Sequence, residues 1–194
     1  GLYDNTMIIL TSDHGEQFGE QGLVYHQFSL SEAVLHVPLL VKWPGQTTEQ
    51  TSEKLVSLAD ITPTISSLVT GTTPDQMDGE PLNKTSDREV VFAEYAGPSD
   101  SLKERLIERG EEYAGYISGL QAIRTRKNKF VQRTDGNAAL YDVSENKDAE
   151  ISDDALQDEL AQQLERTLKQ LPTEGIREEY SEHVKDHLTE MGYL

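Results

Sequence analysis

The run from Thr6 to Gly45, TMIILTSDHGEQFGEQGLVYHQFSLSEAVLHVPLLVKWPG, constrains this chain more than any other feature. Met7, Ile8, Ile9 and Leu10 form a short continuous apolar stretch, as expected of a central parallel strand covered on both faces. The stretch ends abruptly in Asp13, His14 and Gly15. Open α/β sheets bind their ligands beyond the carboxyl ends of the strands, where the departing loops wall a crevice. Adjacent residues of an extended strand point to opposite faces, so Asp13 and His14 can converge on one ion only if the backbone turns. Gly15, free to adopt positive φ, is expected to permit that turn.

The remaining pattern predicts two unequal parts. Up to about Gly71 the order is strand, loop, helix, strand, strand, helix. Residues 28–35 carry apolar side chains at helical spacing, and 37–43 read as a strand stopped by Pro44 and Gly45. Residues 54–58 read as a further strand. Asp60 or Thr62 can cap the helix that runs through Leu68, with Pro63 suited to its first turn. From about Glu89 the period changes. Residues 90–95, 116–124, 129–134 and 138–143 read as short strands, and Asp135-Gly136 is a hairpin signal. Residues 101–113 form a charged helix inserted between the first two of these strands. Leu156, Leu160, Leu164, Leu168 and Leu171 then trace the stripe of one amphipathic helix, and a last helix is predicted over 178–191.

Charge narrows the partners. The chain has 35 acidic against 17 basic residues, a net charge of −18, which disfavours nucleic acid and anionic membrane. Such acidity suits either a well-solvated surface or adaptation to high salt, where screening removes self-repulsion. Cysteine is absent, which excludes disulfides and thiolate metal sites without identifying a compartment. No apolar stretch approaches the roughly 18 residues needed to span a bilayer.

At SDHGEQFGEQG…H…VPLLVKWPG the sequence resembles the second metal-binding signature of the sulfatases, within the alkaline phosphatase superfamily. LVSLADITPTISSLVTG, MDGEPL, LQAIRTRKNKFVQ, NAALYDV and HVKDHLTEMGYL resemble successive landmarks of the same family. The resemblance implies an α/β fold, the end of an alkaline-phosphatase-like mixed or parallel sheet over residues 1–85. A C-terminal subdomain over 86–194 then has a four-stranded antiparallel sheet packed by helices. It implies that Asp13 and His14 are ligands of a divalent cation, calcium by family likeness. His26, thirteen residues after Asp13, takes the place where many sulfatases carry a lysine that binds the sulfate and others, with related phosphotransferases, carry histidine, and the resemblance implies that it binds substrate and can donate a proton. Without the family context, Asp13 and His14 also fit a turn in which Asp caps amides. Glu16, Gln17, Glu20 and Gln21 read as solvated or supporting groups.

The family's Cys/Ser-x-Pro-x-Arg motif, source of its formylglycine nucleophile, does not occur in these 194 residues. The chain is therefore expected to be the C-terminal portion of a sulfuric ester hydrolase, inactive by itself, with a sulfate ester as substrate. Phosphonate or phosphate ester hydrolysis and phosphoethanolamine transfer are alternatives within the superfamily. A noncatalytic acidic module binding calcium or a protein is the alternative outside it. Strand edges left uncovered would favour self-association. His36 is expected to be structural, His183 and His187 to form a solvated helix face, and the cations Lys42, Arg124, Arg126, Lys127 and Lys129 to pair with carboxylates rather than line the mouth of a cleft for an anionic substrate.

Overall fold

The computed structural model describes residues 1–84 and 88–170. The N-terminal part runs β1 (Ile8–Thr11), β2 (Gln17–Phe18), β3 (Val24–Tyr25), α1 (Glu32–Leu35), β4 (Leu39–Lys42) and α2 (Ile61–Thr70). The C-terminal part runs β5 (Val91–Tyr95), α3 (Asp100–Arg109), β6 (Leu120–Arg124), β7 (Asn128–Arg133), β8 (Ala138–Asp142), β9 (Ala149–Ile151) and α4 (Asp154–Gln170).

The best-packed core lies in the C-terminal part. Strands β5 to β9 pair in chain order, each antiparallel to the next. Their register sets Phe92, Ile123, Phe130, Leu140 and Ile151 in one cross-strand row. Leu160 and Leu164 of α4 close over that row, and Ile123, Phe130, Leu140, Leu160 and Leu164 are all buried. The period of two in the strands and the four-residue spacing of the leucines thus meet in one interface. Each such side chain taken out of water contributes about 1.5–3 kcal/mol. The opposite face carries Ala93, Leu120, Ala122 and Val131, and packs against Leu30 and Leu35 around α1. By the same alternation, Arg124 and Lys129 also fall on this second face, towards the N-terminal part.

The α/β character and the antiparallel C-terminal sheet agree with the sequence, and several details differ. The sheet has five strands rather than four, because 149–151 add an edge to β8. The 101–113 helix stops at Arg109, and a tight 3-10 segment, Glu111–Tyr116, replaces the start of the expected 116–124 strand. Residues 54–58 form no strand; a 3-10 turn at Leu58–Asp60 leads into α2 instead. The expected helix over 28–35 contracts to α1. Leu171, the predicted helix over 178–191, His183 and His187 lie outside the described residues.

Strand β1 reads as central and parallel but pairs antiparallel with β4, Leu10 opposite Leu40. Leu10 is 62% exposed and Leu40 57%. The apolar run is therefore a surface of this chain rather than its core, and the expectation of uncovered apolar edges agrees with that.

Asp60 is fully buried and ties three segments together. Its carboxylate accepts from the Ser57 amide at 2.8 Å and the Glu80 amide at 2.9 Å, and receives a two-pronged Arg88 guanidinium at 2.8 and 2.9 Å. It caps the turn before α2 by reaching backwards to Ser57; its side chain makes no cap bond to α2 itself.

Candidate functional site

The site forms where β1 ends. Beyond Thr11 the chain turns through Ser12, Asp13, His14 and Gly15 into the short hairpin of β2 and β3. Gly15 works by absence of bulk, not by positive φ: its amide donates to the Val34 carbonyl at 2.8 Å, and a Cβ there would lie 2.0 Å from the Ala33 carbonyl oxygen. It does not appear among the positive-φ glycines, whereas Gly19 and Gly22, at φ 121° and 74°, shape the hairpin tip. Close approach to α1, rather than a left-handed turn, is what requires glycine.

Hairpin register explains the spacing of the site residues. Gln17 pairs with Tyr25 and Phe18 with Val24, so the next position outwards sets Glu16 opposite His26. The His26 Nδ1 lies 3.4 Å from Glu16 Oε2, and the His14 and His26 rings pack with centres 4.1 Å apart and planes tilted by 32°. Tyr25 and Phe28, on either side of His26, both hold positive φ, 70° and 67°. For bulky side chains that conformation is strained and must be enforced by neighbours. Phe28 is gripped edge-on by Tyr95 at 6.4 Å and Tyr116 at 5.4 Å.

The Asp13 carboxylate and the His14 imidazole stand side by side at the turn. One Asp13 oxygen accepts from the His14 amide at 3.0 Å and from Ser12 Oγ at 3.3 Å, and the other lies 3.8 Å from His14 Nε2. The His14 amide bond, helped by the imidazole, holds the Asp13 carboxyl below its ordinary pKa. His14 Nδ1 lies 2.8 Å from the Gly15 carbonyl oxygen. A carbonyl only accepts, so this contact sets the proton on Nδ1 and leaves the Nε2 lone pair free. Among the described residues, His14, Glu16 and His26 are the group whose ligand atoms lie within 4.8 Å of one another. Glu16 is the member that sequence reasoning passed over. The signal was present in the glycine-bounded GEQG tip, since folding the chain back there places Glu16 beside His26.

The floor behind the site is ionic. Glu32, at the start of α1, takes Arg124 in two-pronged fashion, at 2.8 and 3.1 Å, and Lys129 at 3.1 Å. Buried Lys129 also donates to the Leu30 carbonyl at 2.7 Å and meets Asp148 at 2.6 Å. Burial by itself would raise the Glu32 pKa, but Arg124 and Lys129 outweigh it and hold the carboxyl below its ordinary value. Arg124 and Lys129 pair as the sequence suggested, whereas Lys42 donates to the carbonyls of Tyr3, Asp4 and Thr6. His36 is exposed and its amide closes α1 on Glu32. A cavity of about 280 Å³ opens between the 28–31 segment and β7–β8, lined by Phe28, Ser31, Lys129 and Tyr141, and none of the site residues borders it.

An acid–imidazole turn at a strand tip is thus backed by a hairpin histidine, with ligand-type atoms of His14, Glu16 and His26 within 4.8 Å of one another. Residues 1–72 match the Sulfatase family model. The chain is 26% identical over 191 residues to the ulvan-active sulfatase of Formosa agariphila, covering 93% of this chain and 36% of that protein. It is 31% identical over 139 residues to arylsulfatase K of Canis lupus familiaris, covering 72% of this chain and 25% of the relative. The crystal structure of a phosphonate monoester hydrolase of Agrobacterium radiobacter superposes with a TM-score of 0.66 at 25% identity, over 88% of this chain and 36% of that one. Residues 1–72 thus carry sulfatase-family sequence within an alkaline-phosphatase-like fold, and the chain spans between a quarter and about a third of the length of these relatives.

Proposed function

We propose that Asp13, His14 and His26 belong to the site of a sulfuric ester hydrolase acting on sulfate monoesters. The observation that carries the proposal is the closure of the His14 and His26 rings, 4.1 Å between centres, at the carboxyl end of β1. His26 would bind the sulfate group and hand a proton to the leaving oxygen. Asp13, ionised, and His14, with a free Nε2, would face a divalent cation, which family likeness makes calcium. When bound, the cation neutralises charge on the ester oxygens. The reaction also needs a nucleophile beyond these 194 residues, a formylglycine by the same likeness. Sulfated carbohydrate is the substrate class that the name of the ulvan-active relative suggests. In this proposal residues 1–85 are catalytic-domain sequence and 86–194 a supporting subdomain. Phosphonate or phosphate ester hydrolysis is the second reading, favoured by the phosphonate monoester hydrolase likeness and by histidine rather than lysine at 26.

Histidine-resolved NMR titration with 4-nitrophenyl sulfate and with a phosphonate monoester, phenyl phenylphosphonate, tests both readings. The sulfate ester is expected to shift the His26 resonances at lower concentration than the phosphonate, while the chain alone turns over neither. A His26 signal indifferent to both esters would sink the two together, and turnover of the sulfate ester by the chain alone would overturn the need for an outside nucleophile.

A further inference from the structure

Two ligands on one loop capture a cation weakly, because water must fill the rest of the coordination shell. The fold brings together more than two, and of a different chemical character. We propose that His14, Glu16 and His26 form a site that takes a zinc-class ion, Zn²⁺, Ni²⁺ or Cu²⁺, in preference to calcium. Calcium takes six to eight oxygens, whereas this group offers two imidazole nitrogens and one carboxylate, a donor set suited to zinc, copper and nickel.

Four features support this assignment. First, the hydrogen bond from His14 Nδ1 to the Gly15 carbonyl, at 2.8 Å, fixes the tautomer that presents Nε2, as the supporting shell of metal-bound histidine does. Second, the 3.4 Å between His26 Nδ1 and Glu16 Oε2 is long for a hydrogen bond. Two ligands each about 2.0–2.1 Å from a tetrahedral ion, however, sit about 3.4 Å apart. Third, Glu16 Oε1 is buried with no protein partner, a state that costs free energy unless a cation or donor meets it. Fourth, the group is held before any ion arrives: hairpin register sets Glu16 opposite His26, and the Gly15–Val34 bond pins the turn that carries His14. Three protein ligands leave a fourth position open to water or an anion. Asp13 stands outside the group, and because the site draws on His14 Nε2 and His26, zinc here and the calcium and sulfate roles proposed above for those two side chains exclude one another.

Calorimetric titration of the 194-residue chain with ZnCl₂ and with CaCl₂ is the test, with Cu²⁺ electron paramagnetic resonance as a second readout. Zinc is expected to bind at least about 100-fold more tightly than calcium. His26→Ala and Glu16→Gln should each weaken zinc by at least about tenfold. The copper spectrum should show coupling to two imidazole nitrogens, reduced to one in His26→Ala, a change that general unfolding would not produce. The double variant His183→Ala/His187→Ala, which removes the other closely spaced histidine pair of the sequence, should keep full zinc affinity. Calcium binding as tight as zinc, zinc affinity untouched by His26→Ala, or zinc affinity lost with His183 and His187 would each overturn the assignment.

Discussion

The Gly15 amide donates to the Val34 carbonyl across 2.8 Å, and this bond joins the turn that carries Asp13 and His14 to the helix that follows His26. Since α1 is in turn anchored by Glu32 to Arg124 and Lys129, the turn takes its position from the C-terminal sheet. The site is thus supported across the chain rather than by its own loop.

Gly15→Ala should therefore disturb the site as well as the fold. A Cβ 2.0 Å from the Ala33 oxygen cannot be accommodated without backbone movement, and comparable overpacking costs about 1–3 kcal/mol. Urea unfolding should show that loss, and the His14 and His26 resonances should shift together. A variant as stable as the parent with both histidine signals unmoved would remove Gly15 from this role.

Glu32→Gln should destabilise the chain at neutral pH by about 3–5 kcal/mol, the effect of leaving buried cations short of their partner. The pH dependence has a definite sign. A carboxyl whose folded pKa lies below its unfolded value of about 4.3 contributes stability above that value and loses it as acid titrates the folded form. The stability difference between the parent and Glu32→Gln should therefore be largest near pH 7 and shrink once the pH falls below about 4. Urea midpoints for both proteins over that range measure it, and a difference independent of pH would contradict the ionised state of Glu32.

Arg88→Met should cost about 3–5 kcal/mol by leaving Asp60 buried and short of its cation. Asp60→Asn with Arg88→Met should cost less than the sum of the two single changes, since they share one contact. Additive losses in thermal unfolding would show that the two side chains act independently.

The exposed pair Leu10 and Leu40, with Ile8 beside them, should make the chain self-associate as salt screens its net charge of −18. Light scattering from dilute to molar salt should show a rising mass, and Leu10→Lys/Leu40→Glu should flatten the rise. A parent that remains monomeric throughout would place the partner of this apolar face elsewhere.

Much of this protein was determined locally by its sequence: the strand ending in Asp13-His14-Gly15, the β7–β8 hairpin at Asp135-Gly136, and the leucine stripe of α4. Each rests on a short-range rule, a period of two or 3.6 or the chemistry of one turn, that neighbouring residues satisfy by themselves. Only the tertiary structure decided that Glu16 joins His14 and His26, that Gly15 is needed for closeness to Ala33, and that Lys129 is buried as a cation. Lys129 meets the Leu30 carbonyl 99 residues away in sequence, and no local pattern records such a partner. The antiparallel pairing of β1 with β4 was hidden for a related reason: a continuous apolar run specifies that a surface is to be covered, while what covers it depends on which other segments the fold brings alongside.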